Sequence, residues 1–421
     1  MKLCLSSGLR VGAACLIAAA WQLGATPTAW AQQPPPPAAP APAAEAAAPA
    51  STAMSTPSMA GPLVANPNPI KFDIAPFNTI YLTGAVSALG MFQTAPIPGD
   101  HGSNGDLPNG LVALQTTEGL VQFFTMVGVY SFPALGAPYI HVDRTTGGTF
   151  GPVPQGYVKL APNDAFSVQV GKLPTLIGAE YGFTFQNMNI ERGLLWNQEP
   201  IVSRGVQANY TMGPLALSVS LNDGFYSDSY NWLTGSAAWT INKENTLTVV
   251  GGGNFDHTDK NVISCKLFNC VAKTPFFLNN GDIFNIIYTY NSAPWTFTPY
   301  FQYTSVPGTA NFPLGPTKGA STYGGAFLAN YSFDDNWNLS GRWEYITSTG
   351  SLANGNANLL YGPGSDAFSF TLTPTWQLGV GFVRGEASII KAFGAPLGFA
   401  FGKLGNTQTQ ARFLLEAGVV F

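Results

Sequence analysis

The last residues of the chain alternate with a period of two. In RFLLEAGVVF, Phe413, Leu415, Ala417, Val419 and Phe421 share one parity, and Arg412, Leu414, Glu416, Gly418 and Val420 share the other. One face is apolar and the other carries both charges, which predicts a β-strand with two unlike faces. The alternation recurs upstream. LALSVSLN sets Leu215, Leu217, Val219 and Leu221 against Ser218, Ser220 and Asn222. WTFTPYFQYTS sets Trp295, Phe297, Phe301 and Tyr303 against Thr296, Thr298, Gln302 and Thr304. WNLSGRWEYI opposes Trp337, Leu339, Trp343 and Tyr345 to Asn338, Ser340, Arg342 and Glu344. AFSFTLTPTWQ opposes Phe368, Phe370, Leu372 and Trp376 to Ser369, Thr371, Thr373 and Thr375. In a soluble sheet the polar face would meet water; in a membrane barrel it would meet a wet lumen and the apolar face lipid.

The connections decide between these. Short turns rich in Gly, Pro, Asn and Asp fall at 116–119, 161–164, 211–214, 242–245, 291–294, 333–336 and 377–379. Longer stretches lie between them, at 93–108, 132–152, 174–202, 225–230, 256–281, 306–319, 349–365 and 392–408. Strict alternation of short and long connections sorts the loops onto two ends, as transmembrane barrels do. The expected fold is all-β: a transmembrane antiparallel β-barrel of about sixteen strands, with fourteen as the fallback. The least secure strand is 109–115, because GLVALQTTEGLVQFF also reads as one bent strand.

Composition strengthens the barrel. Charged residues are 10% and aromatics 13% of the chain, too few charges to cover a soluble domain of 421 residues. A surface facing lipid resolves the shortage. No segment has 18 uninterrupted apolar residues, so no helical span is expected. A net charge of −4 and the lack of a long basic run leave no nucleic-acid partner.

Residues 1–31 read as a signal peptide, with Lys2 and Arg10 before a short apolar run and Ala29-Trp30-Ala31 at its end. Residues 32–71, Pro/Ala-rich for most of their length, read as a disordered linker, and 72–421 as the barrel. A terminal strand ending on Phe421 resembles the assembly signal of bacterial outer-membrane barrels, which implies lipid and the barrel assembly machinery as partners. Cys265 and Cys270 lack a metal-ligand partner set, and an oxidising compartment favours a disulfide over two free thiols. His101, His141 and His257 stand in long loops, and His141-Val-Asp143 is the nearest approach to a catalytic constellation. No nucleophile motif accompanies it, so no catalytic site, metal or cofactor is expected.

The segment 174–202, PTLIGAEYGFTFQNMNIERGLLWNQEPIV, is the longest connection and too apolar for free solvent. The barrel interior is the place to bury it. It carries Glu180, Glu191, Arg192 and Glu199. The polar strand parity is read as carrying Lys159, Lys172, Arg342, Arg384 and Arg412 against Glu344, Glu386 and Glu416. Two readings stay open: facing rings of opposite charge that set up a transverse field, or charges that pair off and plug the lumen.

The stretches QGYVKLAP (155–162), VQVGKLPTLIGAEYGFTFQNMNIERGLLWNQEPIVSRGVQANY (168–210) and LNDGFYS (221–227) resemble the OmpL-like β-barrel porins of Gram-negative outer membranes. That resemblance implies an outer-membrane barrel and a passive pore for small hydrophilic solutes or ions. Similarity to sixteen-stranded general porins implies an inward constriction loop and leaves a homotrimer open. A closed barrel serving as adhesin, structural protein or enzyme is the alternative of a different class.

Overall fold

The computed structural model describes residues 59–76, 79–256, 277–310 and 316–421. The expected signal peptide, His257, Cys265 and Cys270 lie outside the described residues.

A four-residue strand, β1 (Ile70–Asp73), precedes sixteen others. These are β2 (Thr79–Gln93), β3 (Ser103–Gln115), β4 (Val121–Tyr130), β5 (Gln155–Leu160), β6 (Phe166–Pro174), β7 (Val202–Met212), β8 (Leu215–Asn222) and β9 (Trp232–Thr240). They continue as β10 (Asn245–Asn254), β11 (Asp282–Ser292), β12 (Trp295–Val306), β13 (Ala320–Ser332), β14 (Trp337–Ser348), β15 (Asp366–Leu378), β16 (Gly381–Phe393) and β17 (Thr409–Val420). Each of β2–β17 pairs antiparallel with its sequence neighbour. The sheet then closes on itself, with Val420 opposite Ala85 and Arg412 opposite Gln93. A closed barrel leaves no strand edge unpaired, which a membrane demands. Phe421 continues the seam: Gly84 N–H donates to its carbonyl at 2.8 Å, and its own N–H donates to Gly84 O at 2.9 Å. Strand β1 extends the same edge of β2, with Ile70 opposite Leu82 and Asp73 opposite Thr79.

The faces follow the parity in the sequence. On β15, Ser369, Thr371, Thr373 and Thr375 are buried while Phe370 and Leu372 are exposed. On β14, Ser340, Arg342 and Glu344 are buried and Trp337, Trp343 and Tyr345 exposed. The apolar residues therefore form the outer surface, and the polar ones line the interior.

Two boundaries differ from the pattern. Strand β3 begins at Ser103, inside the expected 93–108 loop, and pairs with β2 across a register shift between Ser87 and Leu89. Its first residues are polar because this hairpin extends past the apolar band. The folded chain also starts earlier than residue 72: residues 60–64 contact the barrel lining, and β1 follows. The segment is too short for either periodicity to mark it.

Sixteen strands enclose a lumen too wide for wall side chains alone to fill. The 175–201 connection, the third long one and the fifth-to-sixth crossing of the barrel, supplies much of the filling. Apolar packing surrounds it: Ile177, Leu194, Leu195, Trp232, Ile283 and Ile346 belong to one buried cluster, and Leu63, Ala85, Leu111, Phe183, Phe382 and Val420 to another.

Candidate functional site in the barrel lumen

The loop 175–201 holds its own shape before it meets the wall. Asn187 is its internal clasp. Its Nδ2 donates to Tyr181 O (2.9 Å) and Phe183 O (2.7 Å), and its Oδ1 accepts from Tyr181 N (2.7 Å). Single 3₁₀ turns at Thr184–Gln186 and Trp196–Gln198 reverse the chain. Phe183 stacks on Phe185 and meets Tyr130 and Phe132, so the aromatic content that made the segment unfit for solvent becomes its packing.

Charged wall residues then fasten the loop. Arg342 Nη1 lies 2.7 Å from Glu180 Oε1, and its Nε lies 3.2 Å from Glu344 Oε2. Arg412 Nη1 lies 2.6 Å from Glu191 Oε1, and Arg384 Nη1 lies 3.6 Å from Glu416 Oε2. The wall also reads the loop backbone. Arg384 donates to the carbonyls of Thr184, Asn187 and Met188, while Glu386 accepts from the N–H groups of Ile190 (2.5 Å) and Glu191 (3.1 Å). Thr184 Oγ1 donates to Glu416 Oε1 at 2.5 Å. Gly193 permits a close approach of loop to wall, since a Cβ there would lie 2.1 Å from Glu344 Oε1. Arg192 donates to Ile190 O and stacks 5.3 Å above Trp196. None of these ten charged residues, Glu199 included, is more than 4% exposed.

Glu199 is the exception in bonding. Neither carboxylate oxygen has a hydrogen-bond partner among the described residues. Burial pushes its carboxyl well above the ordinary range, and the nearby Glu180 and Glu344 push the same way. A neutral acid is the form such a site tolerates.

The chain ahead of β1 enters the same block. Ala60 N–H donates to Gln186 O at 2.7 Å, and Leu63 is 2% exposed in the cluster with Phe382 and Val420. Val64 exchanges two 2.8 Å hydrogen bonds with the Gln377 amide on β15. Residues 60–64 thus run as a strap beneath the loop tip. Sequence reasoning missed them because their partners, Gln186 in the loop and Gln377 on β15, are distant in the chain. It also missed Asn109, whose Nδ2 reaches Ser87 (2.8 Å), Thr184 (2.5 Å) and Glu416 (3.2 Å).

The opposite wall is different. Gln169, Asn209, Ser218, Ser236, Thr246 and Thr248 share the inward parity of β6–β10 and are partly exposed. Their bonds are neutral ones, such as Ser218 Oγ to Asn209 Oδ1 at 2.8 Å. Lys159 stands beside them, opposite Gln169 and Gln122, partly exposed.

Lys172 does not join this lining. It lies across from Gly156 and Arg204, on the parity of the outward Val170, and its Nζ donates to Phe150 O and Val153 O at 2.9 Å. A charge on the apolar parity is tolerated there because it sits at the strand end, where loop carbonyls can solvate it. His141 faces Asp106, at 3.8 Å, with Asp106 also accepting from Tyr139 Oη and Val142 N. These contacts anchor the start of the short helix α1 (Val142–Gly148) and assemble no nucleophile–base pair.

The model of the family described as "Putative beta-barrel porin-2, OmpL-like" matches residues 79–421. No curated protein matches the chain by sequence. Solved structures share its fold at low identity. The outer membrane channel DcaP of Acinetobacter baumannii is 11% identical, with 83% of this chain and 99% of that one covered and a TM-score of 0.52. Salmonella typhi OmpF, in complex with daunomycin, is 11% identical over 84% of this chain and 100% of its own, with a TM-score of 0.51. The trimer form of Vibrio cholerae OmpT is 11% identical over 81% of this chain and 99% of its own, with a TM-score of 0.50.

Proposed function

The chain belongs to this OmpL-like family of β-barrel porins in the bacterial outer membrane, and from that premise we propose that it forms a water-filled channel for passive diffusion of small hydrophilic solutes or ions. The observation that carries the reading is the partly exposed polar wall of β6–β10 beneath an inward loop. Hydroxyl and amide side chains facing open space can replace the hydration of a passing solute. The loop 175–201 narrows the lumen beside that wall and is the constriction in this reading. Phe421 is the residue the assembly machinery reads, and the trimer form of OmpT supports a homotrimer.

A second reading has its own support. The Arg/Glu block is fully buried, and an apolar cluster packs the long-loop end. Both suit a closed barrel with a structural or adhesive role. Single-channel recording of the refolded full chain in planar bilayers separates the two. Discrete conductance steps are expected; a silent bilayer containing natively folded protein would overturn the channel reading in favour of the closed barrel.

A further inference from the structure

The lumen charges expected to act on passing ions are sealed on both sides. Toward the short-turn end, the strap bearing Leu63 joins Phe382 and Val420 beneath the Arg/Glu block. Toward the long-loop end, Ile346, Ile390 and Tyr361 belong to the apolar cluster above it. Between these lids, Arg342, Arg384 and Arg412 each lie within 4 Å of a carboxylate. Charges compensated at that range project little field beyond their own block, and a dry one makes no contact with a hydrated ion.

What remains in reach of water is the short-turn half of the opposite wall, whose lining is neutral, while Asn222, Trp232, Thr234 and Val250 of its long-loop half are buried. Gln169, Asn209, Ser218 and Ser236 offer both donors and acceptors without net charge. Lys71, Asp73 and Asp106 share the inward parity on β1 and β3; among the described residues, Lys159 is the partly exposed charged strand residue that adjoins the neutral wall. It has no hydrogen-bond or ion-pair partner among them.

We infer that the solute route runs along the β6–β10 wall and bypasses the buried block, so that the channel favours uncharged hydrogen-bonding solutes of the polyol and small-sugar class over ions, with Lys159 imposing a weak preference for anions. The inference rests on the channel reading and deepens it. Neutral solutes exchange their water contacts for wall hydroxyls and amides at little net cost. An ion entering the same path finds no compensating ring, only one solvated ammonium in a high-dielectric, salt-screened space.

The test is the reversal potential of the refolded full chain in planar bilayers across a potassium chloride gradient, paired with liposome swelling by a neutral pentose and a hexuronate. The wild type should favour chloride by no more than about fivefold, the reach of one charge in water, and pass the pentose faster. Lys159→Gln should bring the reversal potential to near zero, and Lys159→Glu should invert its sign. A conducting wild type with strong ion selectivity that neither variant alters would overturn the inference while leaving the channel intact. So would equal or faster entry of the hexuronate. A chain that never conducts, though folded, would remove the channel reading and this inference together.

Discussion

The wall formed by β14–β17 and the wall formed by β6–β10 share one strand pattern and behave in opposite ways. On β14–β17 the inward side chains include Arg342, Glu344, Arg384, Glu386, Arg412 and Glu416, all buried. On β6–β10 they are neutral, partly exposed toward the short turns at Gln169, Asn209, Ser218 and Ser236, and buried toward the long loops at Ser203, Asn222, Trp232 and Thr234. Alternation alone places both sets inside. The difference lies in what each wall faces. One meets the loop 175–201 and matches its carboxylates and carbonyls group by group; the other meets it through apolar packing of Trp232 and Val250 in one cluster with Ile177, and is partly exposed toward the short turns. Charge on the β14–β17 side of this lumen therefore marks where protein is fastened to protein.

The largest expected effect breaks that fastening. Arg342→Met leaves Glu180 and Glu344 buried without their cation, and removing one partner of a buried pair costs about 3–5 kcal/mol. Ser236→Val on the neutral wall should change stability by less than about 0.5 kcal/mol, as expected of a partly exposed site. Urea unfolding of the two variants in lipid bilayers checks the contrast, and equal losses would erase the distinction between the walls.

A smaller effect sharpens it. Leu63→Ala removes the buried anchor of the strap and should cost about 2–3 kcal/mol, as expected for a buried leucine. Gln377→Ala, which removes the side-chain amide that pairs with the Val64 backbone, should cost about 1–2 kcal/mol. Unchanged stability in that variant would show that the strap is held without the wall.

The smallest effect concerns pH. The Glu199 carboxyl is raised in the folded chain from an ordinary value of 4.5. Its folded form therefore holds a proton more tightly than its unfolded form, and stability falls as pH climbs from 4.5 toward the shifted value. Protection factors of the loop amides, corrected for base-catalysed intrinsic exchange, should be lower at the alkaline end of that window. Glu199→Gln, neutral throughout, should flatten the dependence. An unchanged slope in the variant would assign it to other groups.

Several features were legible in the chain before folding. The buried Ser369–Thr375 face of β15, the apolar terminal parity and the alternation of short and long connections all followed from local spacing. The inward loop followed from composition, because PTLIGAEYGFTFQNMNIERGLLWNQEPIV is too apolar for water. Lys172 was harder. Its parity matches that of Val168 and Val170, yet its charge argues for the lumen, and only the carbonyls of Phe150 and Val153 explain why it stays at the rim.

The sequence by itself determined a barrel with an apolar outside and a polar inside, because a strand has a period of two and each of its faces must suit one solvent. Only the tertiary structure decided which inward charges are dry. The partner of Arg412 is 221 residues away in Glu191, and the partner of Gln377 is 313 residues away in Val64. Such pairs leave no periodic trace, since they arise when a loop and a strap of particular length fold back against a wall that was patterned without reference to them.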